Sequence, residues 1–133
     1  MTTSAVGRAG EDFAADHLKK LGWRIVERNW RCGPLELDII ARHKDTLIFV
    51  EVKTRAAAGL TRPDEALTPA KQERLSRAAA QYLSATDNWD KPCRFDLVSV
   101  RRAADNTFSL EHFAHAFEFS PAVAGGHASW QPW

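Results

Sequence analysis

Glu51 and Lys53 are separated by one residue in Leu47-Ile48-Phe49-Val50-Glu51-Val52-Lys53, a run otherwise apolar and rich in β-formers. In a strand, residues i and i+2 share a face. The carboxylate and the ammonium are therefore expected side by side at the strand's end, with Ile48, Val50 and Val52 pointing the other way. A second acid, Asp38, lies in Leu35-Glu36-Leu37-Asp38-Ile39-Ile40-Ala41. Alternation puts Glu36, Asp38 and Ile40 on one face and Leu35, Leu37, Ile39 and Ala41 on the other, and a hairpin between the two runs sets Asp38 beside Glu51. Close carboxylates repel unless a proton or a cation sits between them, and hard oxygen donors favour Mg²⁺ or Mn²⁺. Such an ion polarises a phosphodiester oxygen and lowers the pKa of bound water, while the lysine orients that water or stabilises charge on the phosphoryl oxygens. The chemistry these residues could perform is metal-dependent phosphodiester hydrolysis. Spacing alone equally fits a solvated Glu-Lys pair at a strand end with an acid near a turn.

Two further polar residues fall on inward-facing stripes. Glu11 shares a helical face with Ala14, Ala15 and Leu18, and Gln72 precedes Leu75 and Ala79 near the start of a later helix. Cations to meet phosphates are supplied by Lys53, Arg55, Arg62, Lys71, Arg74 and Arg77, interleaved with Glu65 and Glu73; Arg24, Arg28 and Arg31 extend the set. A mixed-charge helix is also what an ordinary solvated face looks like.

The elements that must position these groups follow from periodicity. Gly7 to Leu21 reads as a helix on Phe13, Ala14, His17, Leu18 and Leu21, stopped by Gly22. Trp23 to Trp30 is a strand, with Trp23, Ile25 and Glu27 on one face. Arg31-Cys32-Gly33-Pro34 is a turn, and Leu35 to Ala41 and Thr46 to Lys53 are strands joined by a short polar link that favours an antiparallel meander. Ala56 to Thr68 reads as a long loop. Thr68 caps a second helix with Pro69 at its first turn and Leu75, Ala78, Ala79, Tyr82 and Leu83 buried, ending near Ala85. Arg94 to Val100 and Phe108 to Phe113 are the last strands, the former reached by a parallel crossover. After Ser120 the composition turns to Pro, Ala, Gly and Ser with Trp130 and Trp133, which reads as a flexible tail over 121–133 beyond a domain of residues 1–120.

A chain of 133 residues, 44% hydrophobic, is the size of one domain. Its 18 Lys and Arg nearly balance 17 Asp and Glu, for a formal charge of +1, so nucleic-acid binding must rest on a local patch. Cys32 and Cys93 are too far apart for a C-x-x-C motif and read as reduced, partly buried thiols. With no secretory pattern and no bilayer-length apolar run, the expectation is a soluble, cytoplasmic protein.

Between Gly7 and Phe119 the sequence resembles the YraN-like bacterial proteins of the PD-(D/E)XK nuclease superfamily, which are similar to archaeal Holliday-junction resolvases. The resemblance is carried by Gly7-Arg8-Ala9-Gly10-Glu11 with Ala14, Asn29-Trp30-Arg31, Leu35 to Ala41, Phe49-Val50-Glu51-Val52-Lys53-Thr54-Arg55, Lys71-Gln72 with Leu75, Ala79 and Leu83, and Arg94-Phe95-Asp96. Where the family usually has Gly-Glu-Ile-Asp, this chain has Leu35-Glu36-Leu37-Asp38. The resemblance implies an α/β fold of restriction-endonuclease-like type, a mixed central sheet flanked by helices around an αβββαβ core. It implies Asp38 and Glu51 as metal ligands with the carbonyl of Val52, Lys53 as the catalytic lysine, Glu11 as an additional acid and Gln72 as a polar residue completing the site. The activity implied is Mg²⁺- or Mn²⁺-dependent endonuclease action on structured or branched DNA, and symmetric cuts at a junction would call for a homodimer. The alternative is a non-catalytic or partner-dependent nucleic-acid-binding protein on the same fold. A glycosidase using Glu36 and Glu51 has only its carboxylates behind it.

Overall fold

The computed structural model describes residues 3–56 and 62–119. Helix α1 (Thr3–Lys20) starts earlier than its periodicity indicates and buries Ala14, Ala15 and Leu18. Gly22, at φ 86°, adopts the left-handed conformation that ends it. Leu21 lies past the last helical turn and is 47% exposed, outside the apolar stripe it was expected to join.

Three strands follow, β1 (Arg24–Cys32), β2 (Leu35–His43) and β3 (Thr46–Ala56). β3 outruns its expected end at Lys53. A bulge between Ile25 and Glu27 turns Glu27 out to solvent, so it does not share the inward face of Trp23 and Ile25. The stretch after β3 is not all loop: Pro63–Ala66 forms a short helix, α2, anchored by buried Leu67. Helix α3 (Pro69–Thr86) begins as expected, with Thr68 Oγ1 accepting the Lys71 N–H at 3.3 Å. Strands β4 (Cys93–Arg102) and β5 (Phe108–Phe117) complete the fold.

The five strands form one sheet in the order β1-β2-β3-β4-β5, antiparallel throughout except for the parallel pair β3-β4. That parallel pair requires the crossover that α2 and α3 supply. Each sheet face has its own core. On one, Leu37, Ile40, Leu47, Phe49, Phe95 and Leu97 pack against Leu75, Ala79, Tyr82 and Leu83 of α3. On the other, Ile39, Ala41, Ile48, Val50, Val98 and Val100 pack against Ala14, Ala15 and Leu18 of α1. This is the mixed, helix-flanked sheet expected from the sequence.

One expected pattern fails informatively. Leu35 and Leu37 pack with Ile40 on the α3 side, whereas Ile39 and Ala41 face α1. Strict alternation through β2 therefore breaks at Asp38, beside Asn29 of β1, which sits at φ 53°. Cys32 is exposed rather than partly buried, and both cysteines are free. Burial, with the Glu118 charge, pushes the Cys93 thiol up to about 12. Among the described residues no helix is long and apolar enough to cross a membrane. The tail reading over 121–133 lies outside the described residues, as do residues 57–61 of the expected loop.

Candidate carboxylate site at the fork of the sheet

The β2-β3 ladder runs from His43 opposite Thr46 to Ile39 opposite Val50 and stops there. β3 continues alongside β4 as far as Ala56 opposite Arg102. Beyond Ile39 strands β2 and β3 part company, while β2 stays paired with β1, and Asp38 fills the fork. Its Oδ2 accepts the Val52 N–H at 2.9 Å, replacing the ladder partner that β2 no longer offers. The apolar runs to either side keep the strands rigid up to this point, so the acid is held by structure rather than by a mobile loop.

Glu51 follows Val50, the last residue of β3 paired with β2, and turns toward α3, where Lys71 Nζ stands 3.0 Å from its Oε2. Only 12% of the Glu51 side chain is exposed. The Asp38 and Glu51 carboxyl groups lie within hydrogen-bonding reach of each other when one of them is protonated. Burial, then the Glu51 charge and that shared hydrogen bond, push the Asp38 carboxyl up to about 8 against the opposing pull of the Val52 N–H. Without a cation the pair therefore shares a proton at neutral pH, as two carboxylates forced together must.

Glu11 arrives from α1. Burial first, and then the Asp38 charge, raise its carboxyl, while Arg28 and a hydrogen bond from Asn29 act the other way. Arg28 Nη2 lies 3.7 Å from Glu11 Oε1 and 2.8 Å from Asp12 Oδ1. Glu11 Oε1 is buried and, among the described residues, has no hydrogen-bond partner. Helix α1 approaches this closely because residue 10 is glycine: a Cβ there would overlap the Thr54 hydroxyl on β3.

Asp38 is reached from both sides. On the α3 side it lines a depression of about 90 Å³ with Pro34, Glu36, Glu51, Lys71 and Arg74. On the α1 side it lines one of about 240 Å³ with Gly7, Glu11, Val52, Lys53 and Thr54. Leu47 and Phe49 pack toward α3 and Ile48, Val50 and Val52 toward α1, so the alternation that puts Glu51 and Lys53 on one face holds through β3, with Lys53 exposed and Glu51 largely covered. The ammonium in contact with the acid pair is that of Lys71.

Gln72 is committed elsewhere, its amide donating to the Leu67 carbonyl at 2.8 Å and tying the α2-α3 link to α3. Among the expected phosphate binders, Arg74 lines the α3-side depression, Arg77 is paired with Glu73 at 2.9 Å and Arg62 with Asp64 at 3.3 Å. Arg31 pairs with Glu36 at 3.7 Å and Arg24 is exposed. Arg55 Nε is buried without a hydrogen-bond partner among the described residues. Sequence reasoning did not find the Lys71-Glu51 pair, the Val52 N–H beneath Asp38, or Arg28 and Asn29 at Glu11. It placed Lys71 only among phosphate binders, because no spacing rule links the first turn of α3 to β3.

Among the described residues no cluster of three or more His, Cys, Asp or Glu groups is arranged to hold a metal ion. The donors present are two convergent carboxylates, a third close by, and main chain at Val52. That set suits Mg²⁺, which keeps several waters and binds through one or two carboxylates plus substrate phosphates, better than a cation needing a full protein cage.

The mixed sheet, covered by a helix on each face and opened into a carboxylate-lined fork, defines a restriction-endonuclease-like α/β domain. Residues 10–100 match the model of the uncharacterised protein family UPF0102. A UPF0102 protein of Nitratidesulfovibrio vulgaris is 55% identical over 97% of this chain and 96% of its own length. Those of Oleidesulfovibrio alaskensis and Lawsonia intracellularis are 40% and 39% identical, covering 97% and 100% of this chain and 93% and 100% of their own lengths. The chain belongs to the UPF0102 family.

Proposed function

We propose that this protein is a divalent-metal-dependent endonuclease of the PD-(D/E)XK type, hydrolysing phosphodiester bonds in structured or branched DNA. The observation that carries the reading is the Asp38-Glu51 pair in the fork of the sheet. Two neighbouring, largely buried carboxylates cost stability as a pair of anions, and a divalent cation is the natural replacement for the proton between them. Asp38, Glu51 and the Val52 carbonyl would hold Mg²⁺ or Mn²⁺, which supplies Lewis acidity toward a phosphoryl oxygen and acidifies bound water.

The chain's own groups do the rest. The Val52 N–H fixes Asp38, leaving its other oxygen free to turn toward the cation. Lys53, exposed and bordering the depression that Asp38 and Glu11 line, would meet water or charge developing on phosphate. Glu11 lies in the same depression as a third acid, and Arg74 on the opposite side is placed to bind a neighbouring phosphate.

One observation favours the second reading, a nucleic-acid-binding protein that cleaves only with a partner: Lys71 already neutralises Glu51 and would compete with a cation. Calorimetric titration of Mn²⁺ into the wild-type protein, Asp38→Asn and Glu51→Gln separates the two. The nuclease reading expects one saturable site lost in both variants. No heat in the wild type beyond dilution, with folding intact, would leave the binding reading in its place.

A further inference from the structure

Arg94 and Asp96, singled out in the sequence, take no part in the carboxylate site. Asp96 is fully buried on the α1 side of β4, and its oxygens are saturated. Oδ1 accepts Arg94 Nε and the His115 N–H, each at 3.1 Å, and Oδ2 accepts Arg94 Nη2 at 3.1 Å and His112 Nε2 at 2.7 Å. Burial alone would raise its pKa, but the hydrogen bonds of His112, Arg94 and His115 outweigh burial and hold it below the usual aspartate value. An ionised carboxylate only accepts. His112 must therefore carry a proton on Nε2, and its neutral ring presents the lone pair of Nδ1 to His17 Nε2 of α1 at 3.0 Å. The chain of donors runs from His17 to His112 to Asp96. Trp23 packs edge-on against His112 with ring centroids 5.4 Å apart, and the Arg94 guanidinium lies 5.1 Å from the Trp23 ring centre.

The face by which α1 meets the sheet is made largely of Gly10, Ala14 and Ala15 with Leu18. Such small residues raise low ridges and resist rotation weakly, so apolar resistance to a turn of the helix rests on Leu18 and on Phe13, which packs on Phe108 of β5 with ring centroids 5.6 Å apart. A turn of about 20° would carry a carboxylate lying about 6 Å from the axis through about 2 Å. Glu11 is on that helix, about 9 Å along it from His17.

We propose that His17 and His112, braced by Asp96, are positioning residues: their hydrogen bond fixes the rotation of α1 and thereby sets Glu11 against Asp38. The functional part of the inference rests on the metal site proposed above; the structural part does not.

The test compares His17→Gln, whose amide nitrogen can still donate to His112 Nδ1, with His17→Phe, which fills the space and donates nothing. Two-bond ¹H–¹⁵N spectra of the full chain at neutral pH are expected to show His17 and His112 both as Nε2–H tautomers. The seat of α1 is read from the nuclear Overhauser effect between the Gly10 Hα and Thr54 methyl protons, expected to persist in His17→Gln and weaken in His17→Phe. Mn²⁺ affinity is expected to stay near wild type in the first variant and fall about tenfold in the second. An Nδ1–H tautomer at His112, or an unchanged Overhauser effect in His17→Phe, overturns the proposal. If the wild type binds no Mn²⁺, the metal reading fails by itself and the tautomer and Overhauser results still decide whether the relay seats the helix.

Discussion

Replacing Asp38 with asparagine is expected to stabilise the metal-free protein at neutral pH while removing its response to divalent cations. The native carboxyl is raised to about 8 from the ordinary 3.8, chiefly by burial and then by Glu51. Between those values the unfolded chain has lost the proton while the folded one keeps it. The folded state is thus least penalised below about pH 4, loses stability as pH rises toward 8, and levels off above. At about 1.4 kcal/mol per pH unit the full difference has a ceiling of about 6 kcal/mol. Glu51 can swing further toward Lys71 and water can enter the depression. The realised gain from Asp38→Asn at neutral pH is therefore expected at about 2–3 kcal/mol, or roughly 5–15 °C in Tm. The asparagine oxygen can keep the Val52 hydrogen bond, so the fork is preserved. The assay is thermal unfolding in chelator from about pH 5 to pH 8, repeated with Mg²⁺. Wild-type stability should fall with pH in chelator and recover with Mg²⁺, by about 2.7 kcal/mol at a hundredfold excess over Kd. The variant should show a shallower slope, the remainder coming from Glu11, and no metal effect. A variant less stable than wild type in chelator at neutral pH, with the same slope, would refute the forced-pair reasoning.

Gly10→Ala should destabilise by about 1–2 kcal/mol in urea unfolding, the overlap with Thr54 exceeding the gain in helix propensity, and adding Thr54→Ala should recover most of the loss. Asp96→Ala leaves Arg94 and His112 without their buried acceptor and should cost about 3–5 kcal/mol by denaturant titration, whereas Thr68→Ala, which removes only a helix cap, should cost about 1 kcal/mol. Arg74→Ala should weaken DNA binding and flatten its salt dependence more than Arg77→Ala, because Arg74 faces the site while Arg77 is held by Glu73; equal effects in fluorescence anisotropy would take the α3-side depression out of the interface.

The elements were legible because their periodicities are strong. The alternation in β3 and β4, the Thr68-Pro69 helix start and the Gly22 stop each state a local physical preference that tertiary packing had no cause to override. The proximity of Asp38 and Glu51 was legible for the same reason, since a short polar link between two apolar runs leaves little choice but a hairpin. What the sequence concealed is where that hairpin stops pairing. The fork depends on Asp38 taking the Val52 N–H and on Asn29 at positive φ, neither of which has a period. Strict alternation therefore misassigned Leu35 and Leu37. The Lys71-Glu51 pair and the Asp96-His112-His17 relay each join residues distant in the chain, and single-sequence patterns do not register such contacts.

The central claim is that the carboxylates at the fork direct a divalent cation against a phosphodiester. Its most direct test is cleavage of labelled duplex, single-stranded, flap and four-way-junction DNA in Mg²⁺ or Mn²⁺, with wild type beside Glu51→Ala. Metal-dependent cutting of at least one branched substrate is expected of the wild type, absent with chelator and absent in the variant. Cutting at the wild-type rate by Glu51→Ala, or cutting that survives chelation, would contradict it.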